Sequence, residues 1–241
     1  MKYLFLNSYL EAREKHIANW TDFDRMINSK DKRSALEVLQ NTDYGIYALE
    51  SDSPEEIIRK EKESFRKDLV KMGYQHLADL YFLKEDITNL RILLKNKLLG
   101  TKTELNPLGK DERNLKKEFE EEMKEAGKIK SFALLDDHLT EIHLKRMKEH
   151  AKEDNKTNSF INEYEEVLRN SSGKAREERI REIEEDFMRS KRKENEGLAP
   201  VIAYFMQKWR AEKFIKTIIS GKEAGLFPSE IKTVLHNLRI L

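Results

Sequence analysis

Three of the six histidines stand where acids crowd beside them, in the stretch holding Asp136, Asp137, His138, Glu141, His143 and His150. Imidazole and carboxylate together are the usual donor set for zinc and related divalent ions. The spacing argues against a shared ion. Five residues along a helix turn through about 500°, which leaves His138 and His143 pointing roughly 140° apart. His143 and His150 share a face but stand about 10 Å apart along the axis, too far for one centre. All three read as surface histidines on a charged helix, and no metal site is expected.

Other chemistry is equally thin. The chain has no cysteine, which removes disulfides, thiolate metal sites and a cysteine nucleophile. No glycine-rich phosphate loop, nucleophile elbow or H-E-x-x-H pair is present. Glu120, Glu121 and Glu122 read as a solvated helix face. The basic run Arg189–Lys193 could touch phosphate or lipid, but Glu184, Glu185, Asp186 and Glu194 cancel most of its field. Tyr204, Phe205, Trp209 and Phe214 read as core of a last helical bundle, with reception of another protein's helix as the lesser alternative. No catalytic residue, cofactor or small-molecule substrate is expected.

The elements that must carry these residues are helices. Thr21 and Asp24 suggest a cap before Met26 and Ile27, and Asp31 a cap before Ala35, Leu36 and Leu39. Gly45 reads as a helix stop. Ser53-Pro54-Glu55-Glu56 is a capping-box start, followed by a stripe of Ile57, Ile58, Phe65, Leu69 and Met72. Helices are predicted over 74–83 and 85–99, the latter stopping at Gly100. Asn106-Pro107-Leu108-Gly109 is the best linker. Beyond it come helices near 118–124 and from Phe132. Between Arg176 and Glu194 seven basic and seven acidic side chains interleave around Ile180, Ile183, Phe187 and Met188. An apolar helix over 198–220 and a closing one over 229–241 follow. No segment alternates with period two. The fold expected is all-α, with an N-terminal lobe over 1–105 and a C-terminal lobe over 106–241 that carries an exposed charged helical arm.

Of 241 residues, 46 are Lys or Arg and 45 Asp or Glu, a net charge of +1. Charged residues reach 38%, against about 25% in ordinary globular domains. Near-neutrality removes the electrostatic footprint of a nucleic-acid-binding protein. The longest apolar run, Leu198–Met206, is nine residues, short of the ~20 that span a bilayer. The apolar stretch near Tyr3–Leu6 is too short for a signal-peptide core, so a cytoplasmic location is expected. At an offset of 125 residues, Leu90, Arg91, Leu93, Leu94 and Lys97 fall on Ile215, Lys216, Ile218, Ile219 and Lys222, a faint repeat.

Three pieces of the chain resemble one family together. Tyr9-Leu10-Glu11-Ala12-Arg13, with Leu36–Leu39 and Thr42-Asp43-Tyr44-Gly45, is similar to the opening of the C/d-type central-stalk family of V-type and A-type ATPases. Asp86-Ile87-Thr88-Asn89-Leu90-Arg91-Ile92-Leu93-Leu94-Lys95 resembles its recurring D-x-x-N-L-K-x-L-L-R helix. Gly197–Tyr204, running on to Ile218-Ile219-Ser220-Gly221-Lys222, resembles its C-terminal E-P-V-I-A-Y helix and the I-I-x-G-K after it. These pieces cover under half of the chain.

The resemblance implies a non-catalytic central-stalk component of a rotary ATPase, built of three similar helical lobes about a pseudo-threefold axis. Such a component sits on the cytoplasmic face of the membrane proteolipid ring, receives the tip of the central shaft and couples rotation to proton or sodium transport. This chain is shorter than typical members, so an abbreviated funnel is expected. Where relatives usually carry acids and an Asn, it has Trp209, Ala211 and Phe214. The contact residues implied are Asn89, Arg91 and Lys97 in one lobe and Lys213, Lys216 and Lys222 in the other. The alternative, from another class, is a free-standing helical scaffold or regulator.

Overall fold

A computed structural model describes residues 3–129, 131–152, 154–191, 194 and 196–238. Its first helices are α1 (Leu4–Glu14), α2 (Trp20–Asn28), α3 (Lys32–Glu37), α4 (Gly45–Glu50), α5 (Pro54–Lys71) and α6 (Gln75–Leu99). Then follow α7 (Glu112–Glu118), α8 (Glu120–Ala126), α9 (Phe132–His150), α10 (Asn155–Asn170), α11 (Gly173–Lys191), α12 (Ala199–Glu223) and α13 (Pro228–His236). A 3-10 turn over Val38–Asn41 joins α3 to α4, and among the described residues there is no strand. The fold is all-α.

Local chemistry explains most boundaries. Asn19 opens α2 by accepting from Thr21 N–H while Asp22 accepts from Asn19 N–H, so the cap falls two residues before the predicted one. Asp31 caps α3 through Ser34 N–H, as its position predicts. Ser53 accepts from Glu56 N–H at the start of α5, and Glu56 turns its carboxylate to the Ser51 hydroxyl. Gly45 is not a stop but the first residue of α4. A Cβ there would lie 2.2 Å from the carbonyl oxygen of Gln40, so only glycine lets the chain turn that tightly. The two helices predicted over 74–83 and 85–99 are one, because Leu83-Lys84-Glu85 holds no breaker. It ends at Gly100, whose φ of +67° is the left-handed stop.

Contacts divide the chain into two compact units, Met1–Phe65 with Gly173–Ile240, and Arg66–Ser172. This differs from the boundary read at 105/106, and the reason lies in the expected linker. Asn89, on α6, donates to the carbonyls of Asn106 (2.9 Å) and Lys110 (3.0 Å) and accepts from Asn106 N–H (2.6 Å). Asp86 accepts from Lys110 N–H at 2.7 Å and pairs with its ammonium at 2.8 Å. The 106–110 stretch is therefore strapped along α6 rather than left as a joint.

In the first unit α12 is the central helix, with α1, α2, α3, α11 and α13 packed around it. It is buried on nearly every side through Val201, Ile202, Phe205, Met206, Trp209, Ile215, Ile218 and Ile219. Each such side chain contributes about 1.5–3 kcal/mol of apolar burial. The charged α11 is no free arm: Ile180, Ile183, Phe187 and Met188 seat it on α12. Arg192 and Lys193 of the basic run, and residues 239–241 of the last predicted helix, lie outside the described residues. In the second unit α6 and α9 form the axis, flanked by α7, α8 and α10. Its core is Leu80, Tyr81, Leu90, Leu94, Phe119, Leu135, Leu139, Leu144, Ile161 and Tyr164.

Candidate functional site

The chemistry-bearing residues that come together do so inside the first unit, around a lysine. Lys208 sits in α12 with 0% of its surface exposed. A helix that is apolar all round drags whatever it carries into the core, and a buried ammonium survives there only with partners. Lys208 Nζ lies 2.6 Å from Glu61 Oε1 and 3.1 Å from Asp43 Oδ2. It also stands 4.7 Å from the centre of the Tyr44 ring, whose face attracts a cation.

Arg13 of α1 closes the other side. Its Nη2 is 3.2 Å from Glu61 Oε1 and 3.5 Å from Asp43 Oδ2, Nη1 donates to the Tyr9 hydroxyl at 3.0 Å, and the guanidinium lies over Phe65. Next to Glu61 on α5, Lys62 pairs with Glu212 of α12 at 2.9 Å. Three cations and three carboxylates thus meet below the surface, and the cluster is electroneutral. Lys62, Lys208, Glu61 and Glu212 are all buried.

The electrostatics follow from burial and pairing. Burial alone would lower the Lys208 ammonium, but Glu61, Tyr44 and Asp43 together outweigh it and hold its pKa above the ordinary lysine range. Glu61 is raised by burial, with Lys208 restraining the rise. Arg13 moves the same way as Lys208, its loss of solvent overcome by Tyr204, Asp43 and its other neighbours. Tyr44 and Tyr204 are raised by burial and stay neutral phenols. A cavity beside this cluster, between α1 and α12, is lined by Asn7, Glu11, Glu14, Pro200 and Tyr204 and holds about 30 Å³. That is room for one water-sized group.

Sequence reasoning missed Glu61, Lys62, Lys208 and Glu212. The signal was there: Glu61 and Lys62 interrupt the stripe running from Ile57 and Ile58 to Phe65, at the very positions that should be apolar. Tyr204, Phe205, Trp209 and Phe214 are buried core, so the alternative that they receive a partner's helix is not what this unit uses them for. Phe205 packs edge-on to Phe65, and Phe214 to Phe23.

The six expected contact residues do different things. Asn89 is fully buried in the second unit and holds the 106–110 strap, so it is a structural staple and not an exposed contact. Arg91 pairs with Asp136 at 3.0 Å, and Lys97 is exposed at the end of α6. In the first unit Lys213 is half-buried, and Lys216 is exposed. Lys222 donates to the carbonyls of Ile27 (3.1 Å) and Ser29 (2.6 Å), satisfying the free end of α2. His143 is buried rather than on the surface, and burial with a smaller push from Lys84 lowers its pKa to about 3. His138 is half-buried and His150 exposed.

Among the described residues no helix is long and apolar enough to cross a membrane, and no group of acids and histidines could hold a metal ion. No family model, curated protein or solved structure matches the chain.

Proposed function

We propose that this chain is a non-catalytic central-stalk component of a V-type or A-type rotary ATPase, coupling shaft rotation to ion transport through the membrane proteolipid ring. One observation carries the reading. The pieces of sequence that resemble the C/d-type central-stalk family lie far apart in the chain. Yet Arg13, Asp43 and Tyr44 from the first and the helix of Tyr204 and Lys208 from the last meet in one buried network. Residues that recur together for their architecture should converge in this way. In the second unit, the Asp86 and Asn89 of the remaining piece do comparable work on the 106–110 strap.

The chemistry of the network suits an adaptor. Every cation in it faces a carboxylate at salt-bridge distance, and the neighbouring cavity is too small for an organic substrate. A part that transmits torque needs helices tied rigidly across the chain rather than groups poised to exchange protons. Its partners on this reading are the shaft proteins and the proteolipid ring, and it lies peripherally on the cytoplasmic face of the membrane.

The test is co-purification from the native host. The chain is tagged at its N-terminus, membranes are solubilised gently, and partners are identified by mass spectrometry. Recovery of shaft proteins with the proteolipid is the expected result. Recovery of soluble partners alone, with ATPase components present in the lysate and absent from the eluate, would reject the reading in favour of a free-standing helical scaffold.

A further inference from the structure

The last two turns of α12 and the helix α13 form an open groove within the first unit. Thr217, Ser220 and Ala224 make its floor, and Leu226, Ile231 and Val234 its wall. Gly221 sets its depth: a Cβ there would lie 2.8 Å from Ile231 Cγ1, so glycine lets α13 close on α12. The groove encloses about 360 Å³. From Lys216 to Ala224 it runs for about 12 Å, or two helical turns. Its rim is apolar and open to solvent, with Val234 42% and Leu226 39% exposed, and Phe227, just before α13, is 72% exposed.

The charges around it are spoken for, with one exception. Glu223 pairs with Lys32 at 2.5 Å, and Lys232 with Asp24 at 2.7 Å. Glu230 accepts from Phe227 N–H at 2.7 Å, and Lys222 holds the two carbonyls at the end of α2. Lys216 lines the groove, is exposed, and has no partner among the described residues. An aliphatic trough two turns long with a lone cation at one end is complementary to an amphipathic helix that carries a carboxylate.

We infer that this groove receives an amphipathic helix of another protein, its aliphatic side chains seated between α12 and α13 and an Asp or Glu facing Lys216. The inference stands for either reading of the chain's role, because it rests on the α12–α13 face alone. A lipid surface would also suit exposed Phe227 and Leu226. The groove favours a helix because its depth lies behind that rim, over small side chains, where an interdigitating ridge fits.

The test selects helical peptides from a randomised library of about twelve residues on the full chain, with the best binder then measured by fluorescence anisotropy. Enriched sequences should carry aliphatic residues at i, i+3 or i+4 and i+7, with an acid near one end. Ser220→Trp fills the floor and should abolish binding. Lys216→Glu should weaken the acidic peptide by about tenfold or more and favour the peptide whose acid is replaced by Lys. Both positions are exposed, so an unchanged melting temperature certifies that each variant folds. Binding indifferent to both substitutions, or a selection that enriches nothing, overturns the inference. So does self-association of the protein that Ser220→Trp abolishes, which would assign the groove to a second copy. Sedimentation with phosphatidylcholine–phosphatidylserine vesicles that is lost in Phe227→Ser, without any peptide selected, would assign it to lipid.

Discussion

Lys208 carries its charge to the centre of an apolar helix, and the cost of that burial is offset only while Glu61 and Asp43 remain beside it. Replacing it by methionine keeps the volume but leaves two carboxylates facing one guanidinium. Lys208→Met should therefore destabilise the fold by about 3–5 kcal/mol. Adding Glu61→Gln to it, which removes the surplus negative charge, should recover part of that loss. Urea denaturation of the single and double variants measures both, and strictly additive losses would contradict the network. His143 makes the second prediction at this scale. Its folded-state pKa is near 3, whereas in the unfolded chain it titrates near 6.5, at the ordinary histidine value. Between those values the unfolded state binds the extra proton, so this contribution is intact above about pH 6.5 and is lost as the pH falls toward 3. At about 1.4 kcal/mol per pH unit, the loss reaches roughly 3 kcal/mol by pH 4. His143→Leu should lose visibly less stability than the parent between pH 7.5 and pH 4.5. Equal losses in the two proteins would show that other groups govern the acid response.

At the level of elements, the 106–110 strap is held by three hydrogen bonds to the Asn89 amide and by Asp86 below it. Asn89→Ala leaves buried backbone groups unsatisfied, at about 1–3 kcal/mol. Hydrogen exchange at Asn106 N–H should then quicken by roughly five- to a hundredfold, with α12 in the other unit unchanged. Proteolysis should cut near Pro107 first. Gly45→Ala tests the tight entry into α4, where the added methyl meets the Gln40 carbonyl, and it should lower the melting temperature. These same elements show what the sequence could tell. Caps such as Asp31, the Pro54 start and the Gly100 stop were legible because each acts within four residues of itself. The apolar stripe of α11 was legible too, but not what it packs against. Gly45 misled because a glycine needed for a close approach looks the same as one needed for positive φ. Asn106-Pro107-Leu108-Gly109 read as a linker because turn composition does not reveal whether α6 holds the turn down. The buried network was half visible: Arg13, Asp43 and Tyr44 stand in motifs, but a charged residue in an apolar stripe names no partner 147 positions away, as Glu61 is from Lys208.

For the whole molecule, near-equal numbers of acids and bases leave surfaces of both signs, while the first unit is built around α12 and the second on the pair α6 and α9, with buried charge compensated in each. On the proposed central-stalk reading, helices tied together by buried ion pairs supply the rigidity that coupling a rotating shaft to an ion-carrying ring demands. Removing such a part should separate two activities that share one machine, leaving the ATP-hydrolysing head running without doing transport work. The most direct measurement uses membranes from a native-host strain that lacks this protein. ATP hydrolysis and ATP-driven ion uptake are followed side by side, before and after purified protein is added back. Hydrolysis should persist and uptake collapse, and adding the protein should restore uptake, with Lys208→Met restoring far less. ATP-driven uptake undiminished in membranes without the protein would contradict the central-stalk role.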